Sequence, residues 1–150
     1  LDGKTLHGFL KDPYNYLNFD KIKDVVLYFG NIDVRFHLCR QKVPMQATFD
    51  LVDKYVAFLA SLVKKGLKVK VQGLPQTGLY KMKPFYGSQE LRNELREEIN
   101  FELKRNANNY DYEYQAPWIN HPLQFFQMEA RQSVHICPDW YLHKEFIDVS

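Results

Sequence analysis

The stretch Asp24-Val-Val-Leu-Tyr-Phe-Gly30, followed directly by Asn31-Ile-Asp-Val-Arg-Phe-His37, decides the fold of this chain. Its first part is a nearly continuous run of apolar β-formers that ends at a glycine, a pattern typical of a strand buried on both faces. The second part places an amide, a carboxylate, a guanidinium and an imidazole directly after that strand. Because ligands of parallel α/β sheets bind at the carboxyl ends of the strands, this loop is the first candidate for a functional site.

A long amphipathic helix is predicted after this loop. Apolar residues recur at three- and four-residue spacing from Phe49 to Val63, with Thr48 as the expected N-cap and Gly66 as the C-terminal stop. The segment from Leu67 to Gly73 then alternates apolar and polar residues, as a strand does. Strand, helix and strand in this order predict a right-handed βαβ unit with a parallel sheet.

The rest of the chain continues the alternation of helices and strands. Ser88 to Asn106 predicts a second helix capped by Ser88, and the tyrosines between Tyr110 and Tyr114 alternate with polar residues as in a strand. Trp140 to Ile147 is the expected closing helix. These elements predict an α/β fold, and we expect residues 1–150 to belong to a single domain.

Composition narrows the function classes. With 45% hydrophobic and 15% aromatic residues, the 150-residue chain can bury one core. The formal charge of +2 does not favour a nucleic acid partner, although a short basic run exists at Lys64, Lys65, Lys68 and Lys70. No apolar run approaches the roughly 18 residues of a membrane span, and no signal peptide is visible. Cys39 and Cys137 show no CxxC spacing, which favours a reduced, cytoplasmic compartment; neither a metal nor another cofactor is expected.

The segment from Val25 to Leu38 resembles the strand and third sequence block of a branch of SGNH (GDSL-like) hydrolase-like proteins, which read roughly Phe-Gly-Glu-Ile-Asp-Cys-Arg-x-His there. The matching residues are Gly30, Ile32, Asp33, Arg35 and His37. Upstream, Leu1 to Gly8 resembles the second block of that family, and downstream Asp139-Trp-Tyr-Leu-His143 resembles its closing block. The resemblance implies a three-layer α/β/α fold of the flavodoxin-like type with a mostly parallel sheet.

The resemblance also implies a serine esterase or acyltransferase that acts on a small-molecule or glycan acyl ester. In that chemistry an imidazole activates a hydroxyl, a carboxylate orients the imidazole, and N–H groups stabilise the oxyanion. His143 would be the base and Asp139 its orienting residue. Gly3 and Asn31 would lie on the oxyanion side, and the pocket wall would include Gly30, Asp33, Arg35 and His37.

The chain departs from the family pattern at three places. The Gly-Asp-Ser block that carries the nucleophile would precede Leu1, so we expect a domain truncated at its N-terminus and lacking its first strand. A partner chain or an N-terminal segment would complete the sheet. Ile32 stands where the usual oxyanion-hole Asn is found, and three residues rather than two separate Asp139 from His143. A non-catalytic descendant of the fold, serving as a binding or structural component, is therefore the alternative hypothesis.

Structural roles compete with the catalytic ones for several residues. In an extended loop Asp33, Arg35 and His37 would share one side, yet Asp33 and Arg35 could equally form an ion pair that fixes the loop. Asp139 and His143 could be a cap and a surface residue of the closing helix. His135, in the strand-like segment Ser133-Val-His-Ile-Cys-Pro138, is a rival base.

Overall fold

The computed structural model describes residues 5–15, 21–74 and 86–117. Three helices and three strands alternate along these residues: α1 (Leu6–Lys11), β1 (Asp24–Leu27), α2 (Pro44–Lys64), β2 (Lys68–Gln72), α3 (Gln89–Tyr110) and β3 (Glu113–Gln115). A 3₁₀ turn at Pro13–Asn15 follows α1. Among the described helices, none has the length and apolar character needed to cross a membrane.

The three strands form one open parallel sheet in the order β1-β2-β3. Val25 pairs with Val69 across the first interface, and Val71 pairs with Tyr114 across the second. The predicted α/β class and the parallel βαβ unit are thus confirmed. Within the described residues the outer edges of β1 and β3 have no neighbouring strand, so a further strand could join the sheet only at one of these edges.

The two faces of the sheet differ in burial. Val25, Leu27, Val69 and Val71 face the core that α2 and α3 complete. Val26 points to the other face and is 65% exposed. The expectation that the first strand is buried on both faces is therefore wrong in this structure. Its apolar residues point to both faces of the sheet, but the described helices cover only one of them.

Helix α2 begins earlier than predicted. Pro44 is its first residue and Val43 its N-cap, which gives no side-chain capping bond. Proline is favoured at this position because its missing N–H would have no partner in the helix and its φ is already helical. The expected cap, Thr48, is buried inside the helix, where its Oγ1 donates to the Pro44 carbonyl at 2.8 Å. The helix ends at Lys64, and Gly66 follows with a φ of +92°, as the predicted stop requires.

Helix α3 has the predicted cap and a later end. Ser88 Oγ accepts a hydrogen bond from the Leu91 N–H at 3.0 Å. The helix continues to Tyr110, and Asp111 leaves it in the left-handed conformation at φ 60°. The strand expected from alternating tyrosines is consequently short, and only Tyr114 of the three lies in β3.

The helices bury their apolar sides together. Helices α2 and α3 pack against each other, and α1 packs against α2. Phe9 of α1 stacks on Phe29 at a centroid distance of 4.5 Å and meets Phe58 of α2 edge-on at 5.6 Å. Helix α1 is thereby held beside the carboxyl end of β1, where Phe29 lies. The expected closing helix, Trp140 to Ile147, lies outside the described residues.

Candidate functional site

The loop after β1 turns sharply at Gly30. This glycine is buried and has a φ of +122°, and a Cβ placed on it would lie 3.0 Å from Leu74 Cδ1. The chain then becomes helical, since the Val34 N–H donates to the Gly30 carbonyl at 2.9 Å. A single π-helical turn spans Asp33–His37, closed by the bond from the Leu38 N–H to the Asp33 carbonyl. Such turns often occur at functional sites.

Because the loop is helical, its polar residues do not share one side. Asp33 is 1% exposed, whereas His37 is exposed. The guanidinium carbon of Arg35 lies 4.6 Å from the centre of the Phe36 ring. The structure thus lacks the extended segment in which Asp33, Arg35 and His37 would share one side, because residues two apart lie on nearly opposite sides of a helical turn.

Asp33 holds the start of helix α1. Its Oδ2 accepts from the Leu6 N–H at 2.7 Å and its Oδ1 from the His7 N–H at 3.1 Å. Thr5, the N-cap, accepts from the Gly8 N–H through Oγ1 at 2.9 Å. The first N–H groups of a helix have no partner within it, and a carboxylate there is favoured by the helix dipole. Asp33 is therefore a structural residue that ties α1 to the loop.

Asn31 is the buried polar centre of the loop. It is 4% exposed, its Nδ2 donates to the Tyr28 hydroxyl at 2.8 Å, and its Oδ1 accepts from Arg96 Nε at 3.2 Å. Arg96 is 1% exposed and also donates through Nη1 to Asn93 Oδ1 at 3.0 Å. These bonds fix the amide between β1 and α3, so both its position and its orientation are set by the fold.

Sequence reasoning missed the two arginines on the inner face of α3. Arg92 and Arg96 are buried beside Leu95 and Ile99, although charged helix residues usually lie on the solvated face. The sequence itself indicated this burial, because positions 92, 95, 96 and 99 follow helical spacing and share one side of the helix. A charge on the apolar stripe of a helix indicates a buried polar contact, and here part of that contact is Asn31.

Arg92 holds the turn that precedes α3. Its Nη1 donates to the carbonyl oxygens of Tyr86 and Gly87. The thiol of Cys39 lies beside this turn, since a Cβ on Gly87 would come within 2.8 Å of Cys39 Sγ. Burial raises the pKa of the Cys39 thiol, and the charges of Arg92 and Arg96 only partly oppose this effect. Cys39 is consequently a thiol at neutral pH and not an activated nucleophile.

Arg40 and His37 form the exposed rim of the loop. Arg40 Nε donates to the Phe36 carbonyl at 2.6 Å, and its Nη2 lies 3.3 Å from His37 Nδ1. The guanidinium of Arg40 also stacks over the Tyr86 ring at 4.5 Å from its centre. His37 thus lies at the surface beside a cationic neighbour.

The carboxyl end of β2 is held by a side-chain clamp. Asn100 of α3 accepts from the Leu74 N–H at 2.7 Å through Oδ1 and donates to the Leu74 carbonyl at 2.8 Å through Nδ2. Gln72 donates through Nε2 to the carbonyls of Gly73 and Ala116. These contacts secure the backbone after β2 against α3 and the end of β3.

The structure brings part of the predicted site together. Gly30, Asn31, Asp33, Arg35 and His37 lie in one loop at the carboxyl edge of the sheet, but only Asn31 among the buried ones has a side chain suited to an oxyanion. Gly3, His135, Asp139 and His143 lie outside the described residues. No cluster of three or more metal-ligating side chains occurs in residues 5–15, 21–74 and 86–117. Comparisons with known protein families, curated proteins and solved structures find no match.

Proposed function

We propose that the chain forms part of an SGNH-like α/β domain that acts as an esterase or acyltransferase on a small-molecule or glycan acyl ester. The observation that carries the proposal is the loop after β1. Its residues match the family motif, and it lies at the carboxyl end of a parallel strand, where α/β proteins bind their ligands. The free thiol of Cys39 accords with a reducing, cytoplasmic location.

The proposed roles follow serine hydrolase chemistry. A serine from sequence preceding Leu1 attacks the acyl carbon, His143 takes its proton, and Asp139 orients the imidazole. Gly3 and Asn31 stabilise the oxyanion. An Asn side-chain amide has two N–H donors, and in Asn31 one of them is directed to the Tyr28 hydroxyl. We assign the second to the oxyanion, and the bond to Arg96 keeps the amide from turning.

Reaction with a fluorophosphonate probe tests this proposal. The natural protein, including any sequence before Leu1, should be labelled and should hydrolyse p-nitrophenyl acetate. His143→Ala should lower turnover by about a thousandfold or more, because the serine loses its base. His121→Ala is the matched control and should retain labelling and turnover. Equal loss in both variants, or undiminished turnover in His143→Ala, would reject the assigned base.

A second candidate function is a non-catalytic binding or structural component. Two observations favour it: the Asp33 carboxylate is occupied by the start of α1, and the Asn31 carbonyl is bonded to a buried arginine. Both residues stabilise the fold whether or not a reaction takes place. This candidate predicts a folded natural protein with neither probe labelling nor ester turnover.

A further inference from the structure

A groove lies between helices α1 and α2, apart from the buried contacts of the β1 loop. It encloses about 220 Å³ and is lined by His7, Leu10, Lys11, Leu51 and Lys54. On α1 the lining residues are three and four positions apart, and on α2 they are three apart, so each helix contributes one continuous side. The groove is therefore built from two regular elements rather than from loops.

The groove has an apolar floor and a basic rim. Leu51 is 7% exposed, and Leu10 is half-buried against the core. His7, Lys11 and Lys54 are exposed around these leucines. None of the five lining residues is acidic, and Asp50, one turn before Lys54, accepts from Gln46 Nε2 at 3.0 Å. The rim therefore presents two lysine side chains and an imidazole, while the exposed carboxylates of Asp12, Asp50 and Asp53 lie next to the lining residues in sequence.

Part of this arrangement is fixed by the fold. The backbone N–H of His7 is bonded to Asp33, which sets the position of His7 at the start of α1. Phe9, between the two lining stretches of α1, is fully buried against Phe29 and Phe58. The backbone of α1 is thus anchored at His7 and Phe9, and only the ends of the long basic side chains need to adjust to a ligand.

From this geometry we propose that the groove binds a small amphiphilic anion, in which a carboxylate or phosphate is attached to a short apolar chain. The apolar chain lies on Leu10 and Leu51, and the anionic group contacts Lys11, Lys54 and the His7 ring. The volume of about 220 Å³ suits a small ligand. Typical drug-sized pockets start at about 300 Å³.

This inference does not depend on the proposed esterase activity, because the groove and its residues take no part in that chemistry. Binding can be measured by isothermal titration calorimetry with butyl phosphate, butyrate, inorganic phosphate and butanol. Butyl phosphate and butyrate should bind, inorganic phosphate should bind more weakly because it leaves the leucines uncovered, and butanol should not bind. A preference of butyl phosphate over butyrate would identify a phosphate ligand, and the reverse order a carboxylate ligand.

A pair of lysine variants locates the site. Lys54→Gln should weaken binding of butyl phosphate about tenfold, the equivalent of one charge-assisted contact, and Lys11→Gln should act in the same direction. Lys68→Gln is the matched control: Lys68 is also exposed but lies in β2, away from the groove. Its binding should stay within about twofold of the unmodified protein, since only long-range charge is lost.

Backbone amide shifts in nuclear magnetic resonance spectra provide a second readout. Saturable shifts at Leu10, Lys11 and Lys54 upon addition of butyl phosphate would support the groove. Equal weakening by Lys54→Gln and Lys68→Gln would overturn the proposal, as would shifts confined to other parts of the chain. Binding of butanol as strong as that of butyl phosphate would also overturn it, because the anionic group would then contribute nothing.

Discussion

The loop after β1 and the groove between α1 and α2 both collect polar and basic side chains, yet they use them in opposite ways. In the loop, Asn31 and Asp33 are almost fully buried, and each is bonded to other parts of the protein. In the groove, Lys11 and Lys54 are exposed around an apolar floor. Polar groups that are already bonded within the protein stabilise it, while exposed groups around a concave surface are available to a ligand.

The comparison changes the interpretation of the motif. The loop has the richer sequence, but the buried side chains at its centre serve first to connect β1, α1 and α3. The groove has no sequence motif, because its residues come from two helices far apart in the chain. A dense cluster of chemically active residue types is therefore not by itself a pocket, and a pocket need not have a dense cluster in sequence.

Replacing Asp33 tests the structural side of the comparison most strongly. Asp33→Ala should lower the free energy of unfolding by about 3 kcal/mol, because two N–H groups at the start of α1 lose a charged acceptor. Urea denaturation followed by circular dichroism measures the change. Asp12→Ala, an exposed carboxylate beyond the other end of α1, is the matched control and should change stability by less than about 0.5 kcal/mol. Similar effects of both variants would show that Asp33 does not anchor the helix.

A second substitution separates backbone strain from crowding in the loop. Gly30→Ala should cost about 2–3 kcal/mol, because alanine is strained at a φ of +122° and its Cβ would lie 3.0 Å from Leu74 Cδ1. Gly66→Ala meets a φ of +92° with nothing within 4 Å, so it should cost only about 1–2 kcal/mol. Thermal unfolding of both proteins gives the difference. Equal losses would mean that Leu74 moves aside freely and the loop is less tightly packed than the structure indicates.

The smallest expected effect concerns a buried hydroxyl group of α2 that, unlike the buried polar groups of the loop, has no hydrogen-bond partner among the described residues. Tyr55 is fully buried, and its hydroxyl has no hydrogen-bond partner in the part of the chain that the structure describes. Burial raises its pKa, as do the nearby Tyr112 and Asp33. Tyr55→Phe should therefore raise the free energy of unfolding by about 1 kcal/mol, since an unsatisfied buried hydroxyl is removed.

Tyr112→Phe is the matched control for this test. The Tyr112 hydroxyl donates to the Leu103 carbonyl, so its removal should lower the free energy of unfolding by about 1 kcal/mol. Opposite signs in the two variants, measured by chemical denaturation, would confirm that hydrogen bonding rather than burial distinguishes the two tyrosines. A loss of stability in Tyr55→Phe would show that its hydroxyl has a partner after all.

Local patterns predicted α2 and α3 and one end of each. The spacing of apolar residues located α2 and α3, and the local chemistry of Ser88 and Gly66 marked a start and a stop. Thr48 was misplaced as a cap because its hydroxyl bonds within the helix, and the preference of Pro44 for a first helical position was overlooked. This error arose because two local rules, a hydroxyl residue as N-cap and proline as the first helical residue, predicted different starts for α2.

Local sequence patterns did not predict the contacts between distant segments. The loop at residues 31–37 was expected to be extended, but its helical turns place Asp33 where it caps α1, whose first amides lie 26 and 27 residues earlier in the chain. The exposure of Val26 likewise depends on which face the helices cover, and an apolar run carries no information about that choice. The bond between Asn31 and Arg96 spans 65 residues and follows only from the packing of α3 on the sheet.

The order β1-β2-β3 has a consequence for how the chain folds. Each strand pairs with the one before it, so every new interface closes a loop whose described residues contain one long helix. Pairing β1 directly with β3 would close a loop of about twice that length, at an added entropic cost of about 0.6 kcal/mol. We therefore expect each strand to pair first with its neighbour along the chain. In this sequence of events β2 is the template for β3, and a chain cut after α2 would lose the sheet entirely rather than retain part of it.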